Sequence, residues 1–432
     1  MCYAIPGKIV SIDKKTVVVD YFGEKKKAYN ELDGLLIGDY IYAQGGYVIQ
    51  KIPPDEAKSI LAVWKETFFE LQEVDLQLSR LDLHQKSVSG EFLRILDKAA
   101  EGKKLLKDEL LVLIKEKNKP ALELLFKTAN FLRQKHHKNS CCVHGIIEIS
   151  NNCGCNCGYC GIAKGNKNIT RYRLTPDQIL EAARQAIQEH GFKALLLQSG
   201  EDSGYSIEEL AEVIRKIKNN WPALIFISFG EVGLDNLKIL YDAGARGLLL
   251  RFETSNPKLY KQVTAGKDLS LRIAHLKKAY ELGYLIITGG LIGLPGQSEE
   301  DLLNDILLTK ELHAEMYSFG PFITHPQTSL EGYPSCEVEA VLKVIAIARI
   351  IDAANAKILV TTALETLNPD VRREALLSGA NSVMLNVTPL EYRPLYNIYP
   401  ARAHEKESIE VQINDTIGLL MSLGRSPTDL SI

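Results

Sequence analysis

Cys153, Cys157 and Cys160 fall in the run Asn152-Cys-Gly-Cys-Asn-Cys-Gly-Tyr-Cys160. A C-x3-C-x2-C spacing lets one short loop offer three thiolates to three irons of a 4Fe–4S cube. The fourth iron is then left without a protein ligand, so it can chelate a small molecule and pass it an electron. Four-cysteine ferredoxin sites lack that vacancy. Two other chemistries use the same residue types. One is zinc, with a fourth ligand from Cys155, Cys141, Cys142 or His144; the other is a redox thiol cluster. Context favours iron and sulfide. The strand-like run Val143–Ser150 leads into the loop, and an amphipathic helix starts near Thr175. That puts the loop at the C-terminal end of a first strand, where barrel enzymes hold their chemistry.

Tyr159, one residue before the last cysteine, completes C-x3-C-x-aromatic-C. This pattern resembles the cluster loop of the radical S-adenosylmethionine (SAM) enzymes, where the free iron binds the amino and carboxylate groups of SAM. SAM also needs a cation for its carboxylate and carboxylates for its ribose hydroxyls. Arg251, Glu253 and Arg272 are of the right types, and Arg251 and Glu253 flank Phe252 on a strand, so both face the same side. Other strand ends supply Ser199, Gly200, Glu201 and Ser228 as cofactor contacts. Thr288, His325, Thr361, Thr362 and Asn386 are expected to meet substrate. Gly289, Gly290, Gly293 and Gly296 let a ligand approach the backbone closely, or simply shape turns.

A scaffold must bring these side chains together. Residues 1 to about 52 alternate short strands with turn residues and predict a small β-barrel. From Pro54 the apolar residues Ile60, Leu61, Trp64, Phe68 and Leu71 recur at helical spacing, predicting a helix packed on that barrel. Residues 76–140 read as a charged helical linker or collar, with segments Leu76–His84, Glu91–Ala100, Lys107–Glu116 and Lys119–Gln134. Residues 143–425 alternate strand and helix, with helices that open on Ser, Thr or Asp and close at Gly191, Gly244, Gly283 and Gly379. Strands six and seven are expected over Tyr317–Ile323 and Ile358–Thr362. Eight such units fit a (β/α)8 TIM-type barrel. An open doubly wound sheet is the alternative, but no G-x-G-x-x-G loop opens the first helix. The expected organisation is therefore α/β: a small N-terminal β-barrel with its helix (1–75), a linker (76–140) and a barrel (141–432).

The 432 residues are 46% hydrophobic and 24% charged, with a formal net charge of −3. That composition is ordinary for a globular chain, and the absence of a basic block argues against nucleic acid. The eight cysteines are mostly clustered, which suits metal binding in a reducing cytoplasm better than disulfides. No apolar run is long enough to span a membrane.

The motifs converge on a family. Ile147–Asn151, the cysteine loop, Arg171–Pro176, Leu197–Asp202, Arg251–Pro257, Gly293–Gln297, Gly320–Ile323 and Thr388–Arg393 resemble the HydE family of radical SAM enzymes, maturases of FeFe-hydrogenase. Biotin synthase and methylornithine synthase belong to the same broader group. The resemblance implies that Cys153, Cys157 and Cys160 hold the cluster and that Arg251, Glu253 and Arg272 contact SAM. It also places Tyr392 and Arg393, in the Thr388–Arg393 run, among the substrate contacts. It implies reductive cleavage of SAM to a 5′-deoxyadenosyl radical, an iron precursor carrying CO and cyanide as substrate, and an electron donor of the ferredoxin or flavodoxin kind. Residues 337–432 contain no cysteine, so one 4Fe–4S cluster is expected, and Phe252 stands where the family usually has histidine. The first 75 or so residues resemble a second family, the HypC-type chaperones of NiFe-hydrogenase maturation, through Met1–Lys8, Gly38–Tyr42 and Gly46–Lys51. In that family the cysteine after the initiator Met helps hold an iron–cyanide–CO fragment, which makes Cys2 a metal ligand by resemblance. Other hydrogenase maturation proteins are the implied partners. Two further readings stay open: a mutase or synthase on an organic substrate, and a scaffold without turnover, against which the intact loop and the Arg/Glu set argue.

Overall fold

The computed structural model describes residues 5–83, 85 and 87–430, so Cys2 lies outside the described residues. The chain opens with β1 (Gly7–Asp13), β2 (Thr16–Tyr21), β3 (Glu24–Tyr29), β4 (Tyr40–Gln44) and β5 (Tyr47–Ile52). They close into a barrel in the order β1-β2-β3-β5-β4. Alternation in β2 turns Val17, Val19 and Tyr21 inward, where they meet Ile9, Ile41 and Val48. Gly7 is required at the crossing: a Cβ there would lie 2.6 Å from the Tyr21 ring.

Helix α1 (Pro54–Leu78) lays Phe68 on this small core. It runs through the position where the sequence suggested a boundary, so the segment expected at Leu76–His84 is in part the end of α1. Asp75 explains the difference. This acid looks like part of a solvated end, yet it is buried and pairs with Arg133 at 2.7 Å and Arg425 at 2.9 Å. Helices α2 (Gly90–Ala100), α3 (Lys107–Lys115) and α4 (Lys119–His137) follow. Their apolar faces, with Phe92, Leu96, Leu113 and Leu125, join the main core. Here α4 packs on the helix Val338–Ile351 and α3 on Glu299–Glu311, so this segment is a collar on the larger barrel.

The remaining strands are β6 (Ser140–Ser150), β7 (Ala194–Ser199), β8 (Leu224–Ser228), β9 (Ala245–Leu249), β10 (Leu285–Thr288), β11 (Leu291–Ile292), β12 (Ala314–Tyr317), β13 (Gly320–Pro321), β14 (Lys357–Ile358), β15 (Ser382–Asn386) and β16 (Ser426–Pro427). Strands β6, β7, β8, β9, β10, β12, β14 and β15 form a near-closed parallel barrel. β15 returns to β6 in register from Ser382 opposite Cys142 to Asn386 opposite Ile146. A bridge between Leu359 and Ser382 spans the remaining seam. Thr175, Ser206 and Ser298 each cap a helix with a reciprocal capping box, as the sequence signals.

Two strands are shorter than their apolar runs predict. The sixth barrel strand ends at Tyr317, and after a kink at Ser318 the chain forms β13, which pairs with β11 in a second tier. The seventh ends at Ile358, because Thr361 turns to cap the helix Thr362–Leu367.

Period-two alternation in β6 points Cys142 and Ile146 into the barrel and Val143, Ile147 and Ile149 out to the helices. At the N-terminal end of the barrel the inward residues Cys142, Leu196, Phe226, Ile287 and Met316 form one apolar cluster with Tyr42, Ile49, Ile52 and Ala57 of the N-terminal segment. The small barrel therefore plugs the base of the large one. Arg246 and Glu31 pair at 3.0 Å across this junction, and the Lys193 ammonium lies 4.2 Å from the Tyr42 ring centre. Among the described residues no helix is long and apolar enough to cross a membrane.

Candidate active site

With the base plugged, the cavity opens at the C-terminal strand ends. It has a volume of about 300 Å³, and Cys153, Cys157 and Cys160 form part of its wall with Tyr159. The cysteine loop is held from behind. Arg171 donates to the carbonyls of Asn151, Ile162, Ala163 and Asn166, and Asn151 donates to those of Thr170 and Leu395. At the tip, Gly158 N–H donates to Val263 O and Gly161 N–H to Ile398 O. The loop lies so close on β7 that a Cβ at Gly200 would sit 2.6 Å from Cys153 Cβ.

The thiols differ. Cys153 Sγ accepts from the backbone N–H of Cys155 and of Glu201, each at 3.4 Å. A hydrogen bond from the Cys155 thiol, with these amides, holds the Cys153 pKa well below the usual thiol range. Burial pushes Cys157 up to about 12 and Cys160 higher, and in both the neighbouring thiols add to the shift. As thiolates the three would repel one another in this dry wall, and a cluster of irons would neutralise them.

Beside the thiols, Arg251 and Glu253 line the cavity 3.4 Å apart. Glu253 has φ 67°, in the left-handed region. Its buried Oε2 is the oxygen that lies 3.4 Å from Arg251, and it has no hydrogen-bond partner among the described residues. A strained residue whose ion-paired carboxylate oxygen still lacks a hydrogen bond marks a place built for a ligand. Next to it Arg272 Nε donates to Glu231 Oε1 at 2.8 Å, and Lys267 reaches Glu201 at 3.0 Å, Glu231 at 3.4 Å and Cys155 Sγ at 3.1 Å. Ser199 and Ser228 complete this wall. A carboxylate that still lacks a hydrogen bond, guanidinium groups and glycine-lined backbone fit a zwitterionic sulfonium ligand beside a three-thiol cluster. Phe252, between the two wall residues, is fully buried in the barrel's outer core.

The expected substrate contacts divide. Thr361 and Thr362 line the cavity. The other five do not. Thr288 is fully buried and donates to Leu250 O at 2.7 Å, because β10 turns its hydroxyl onto its neighbour strand. His325 lines a separate cleft beside Asn168, Thr170 and Asn397, and its ring packs on Gly161 behind the cysteine loop. Asn386 sits one layer back, donating to Glu148 Oε2 at 3.0 Å. Tyr392 faces outward, tilted on Tyr172 with ring centres 5.1 Å apart, and accepts from Gln178 Nε2. Arg393 is buried against the carbonyls of Thr388 and Glu407, so it braces its own loop.

Sequence reasoning missed a second polar group in the cavity wall. Glu148 on β6 is buried there and pairs with Arg402, which also donates to Tyr396 O at 2.6 Å. Gln198 donates to Tyr396 Oη at 3.2 Å, and Tyr399 lines the same region. Glu148 carried a signal, being an acid on the inward-facing phase of an otherwise apolar strand. Arg402, Tyr396 and Tyr399 come from the stretch after β15, which has no periodicity to read. Glu231, a strand-end acid, and Lys267 were likewise not singled out.

Comparison with known proteins bears on these features. Residues 147–308 match the Radical SAM superfamily and residues 1–64 the HupF/HypC family. The FeFe hydrogenase maturase subunit HydE of Thermotoga maritima is 38% identical over 305 residues, spanning 71% of this chain and 87% of that protein. A 3-methylornithine synthase of Methanosarcina acetivorans is 29% identical over 69% of this chain and 84% of its own length. Among solved structures, methylornithine synthase (PylB) superposes with a TM-score of 0.66 at 24% identity, covering 77% of this chain and 97% of that one. The maturase HydG from Carboxydothermus hydrogenoformans gives 0.65 at 20% identity, covering 84% and 85%; both likenesses concern the fold.

Proposed function

The chain belongs to the radical SAM superfamily, in the group that contains HydE, and from that premise we propose that it serves hydrogenase maturation by acting on a small iron complex carrying CO and cyanide. Its cofactors are a 4Fe–4S cluster and SAM. Cys153, Cys157 and Cys160 would hold the cluster; Arg251, Glu253, Arg272 and Glu201 would hold SAM. When bound, the cluster supplies the electron that splits SAM into methionine and a 5′-deoxyadenosyl radical. The protein's own part is placement. Arg251 would meet the carboxylate, and Glu253, whose Oε2 is ion-paired with Arg251 but accepts no hydrogen bond among the described residues, would take the ammonium group. Glu201 and Glu231, already held by Lys267 and Arg272, orient the ribose. The apolar plug closes the barrel base to bulk water.

One observation carries the reading: a single cavity is lined by both the three thiols and a polar group built from Glu148, Arg402 and Tyr396. Guanidinium and amide donors suit the nitrogen end of a cyanide ligand, while Met384, Leu249 and Ile146 give CO an apolar surface. The HypC-like segment supports the same theme, with Cys2 as carrier of an iron fragment. A ferredoxin- or flavodoxin-type donor would supply the electron.

The test is anaerobic turnover of the reconstituted protein with SAM, dithionite and a synthetic iron–cyanide–CO complex. Formation of 5′-deoxyadenosine that rises with the complex, together with shifted cyanide and CO infrared bands, is expected; bands that never change would refute the iron substrate. The Glu148–Arg402 pair would also suit an amino acid's charged ends, and the 3-methylornithine synthase relatives favour that second reading. Under it, product analysis would show a rearranged amino acid and no change at iron.

A further inference from the structure

At the opposite end of the barrel from the thiol loop lies a second group of metal-binding side chains. Cys142 and His144 are two residues apart on β6 and both buried. Asp429 joins them because the C-terminal tail is sewn across the barrel base. β16 pairs in parallel with β6, Thr428 N–H donates to Cys141 O at 3.0 Å, and Lys193 N–H donates to Asp429 O at 2.8 Å. One ligand atom each from Cys142, His144 and Asp429 falls within 4.8 Å of the others. His144 Nε2 lies 3.2 Å from Asp429 Oδ2, about the edge of a tetrahedron around a zinc-sized ion.

Further observations bear on the site. His144 is 3% exposed and turns Nε2 toward Asp429; its Nδ1 has no hydrogen-bond partner among the described residues, and an ion held by Nε2 would leave it so. The three side chains line a small cavity of about 10 Å³, about the room one ion or one water needs. The cation in that cavity, Lys357, is already paired with Glu315. The ring is also fixed in place, stacked on Phe226 at 5.1 Å.

We propose that Cys142, His144 and Asp429 bind a single divalent transition-metal ion of the zinc class at the base of the barrel. Thiolate and imidazole donors select such an ion over magnesium or calcium. The charges balance: thiolate and carboxylate offset the dication, and the thiol proton leaves as the metal enters. The role is structural. Gly45, at the turn between β4 and β5, lines the same cavity, so the ion would tie β6 to the C-terminal tail directly beneath the N-terminal plug.

The test uses the full-length protein with its iron–sulfur cluster loaded, so that the thiol loop is occupied. Zinc is titrated anaerobically, bound zinc is counted by elemental analysis, and its donors are read by X-ray absorption at the zinc edge. The expected result is one tight zinc per chain with one sulfur neighbour. Cys142→Ser should lose the sulfur neighbour, and Asp429→Asn should bind at least about tenfold more weakly, while Cys336→Ser should match wild type. If a variant fails to fold, the wild-type titration still decides. Wild-type protein that takes up no stoichiometric zinc, or zinc without a sulfur neighbour, overturns the proposal and leaves a hydrogen-bonded carboxylate network only.

Discussion

Glu253 holds an uncomfortable position in the cavity wall. Its left-handed backbone costs about 1–3 kcal/mol, and its buried oxygen lacks a hydrogen bond. Both costs are offset if a cationic group of the cofactor binds there. Glu253→Gln should therefore weaken SAM binding about 10–100-fold, the worth of a hydrogen bond to a charge, and leave cluster iron unchanged. Equilibrium binding beside iron analysis separates the two effects. Cys157→Ala is the counterpart: iron and sulfide content should collapse and 5′-deoxyadenosine formation should vanish with them. Both residues were legible in the sequence because local spacing carries their meaning, three thiols in one loop and two charges on one strand face. Thr288, His325 and Tyr392 sit outside the cavity, and a strand-end position in the sequence does not say which way the chain turns next.

Two pieces of chain position the wall. The cysteine loop hangs on Arg171, whose guanidinium meets four carbonyls. Arg171→Ala should cost about 3 kcal/mol or more of loop stability and be seen as faster loss of the cluster to a chelator. The segment after β9 hangs on Asp305, which accepts from Ser255 and Thr254 in a buried setting. Burial lifts this carboxyl from 3.8 to about 6 despite those bonds. The folded chain therefore holds the proton more tightly than the unfolded one. The resulting stabilisation is full below 3.8 and is lost as pH rises through 6. Across that window wild-type stability should fall by at most about 3 kcal/mol relative to Asp305→Asn, read from denaturant unfolding at a series of pH values. Parallel slopes for the two proteins would show that Asp305 does not titrate there.

At the scale of the molecule, the alternation of strand and helix was readable from periodicity and caps, because each unit is a local pattern. The docking of the small barrel into the base of the large one was not readable. Tyr42, Ile49 and Phe226 are far apart in sequence, and an apolar residue on a strand does not announce which core it will join. Gly45 sits at that junction with φ 54°, where a Cβ would lie 2.6 Å from Leu224 Cδ2. Gly45→Val should destabilise the docked state by about 1–3 kcal/mol, and calorimetry should then resolve a separate early transition for the N-terminal segment. The plug has a kinetic corollary. Traffic along the barrel axis is one-ended, since the far end is filled with packed side chains. Substrate, SAM and both products therefore share one mouth. Steady-state kinetics should show each product inhibiting competitively against at least one substrate, and methionine added alone should slow turnover.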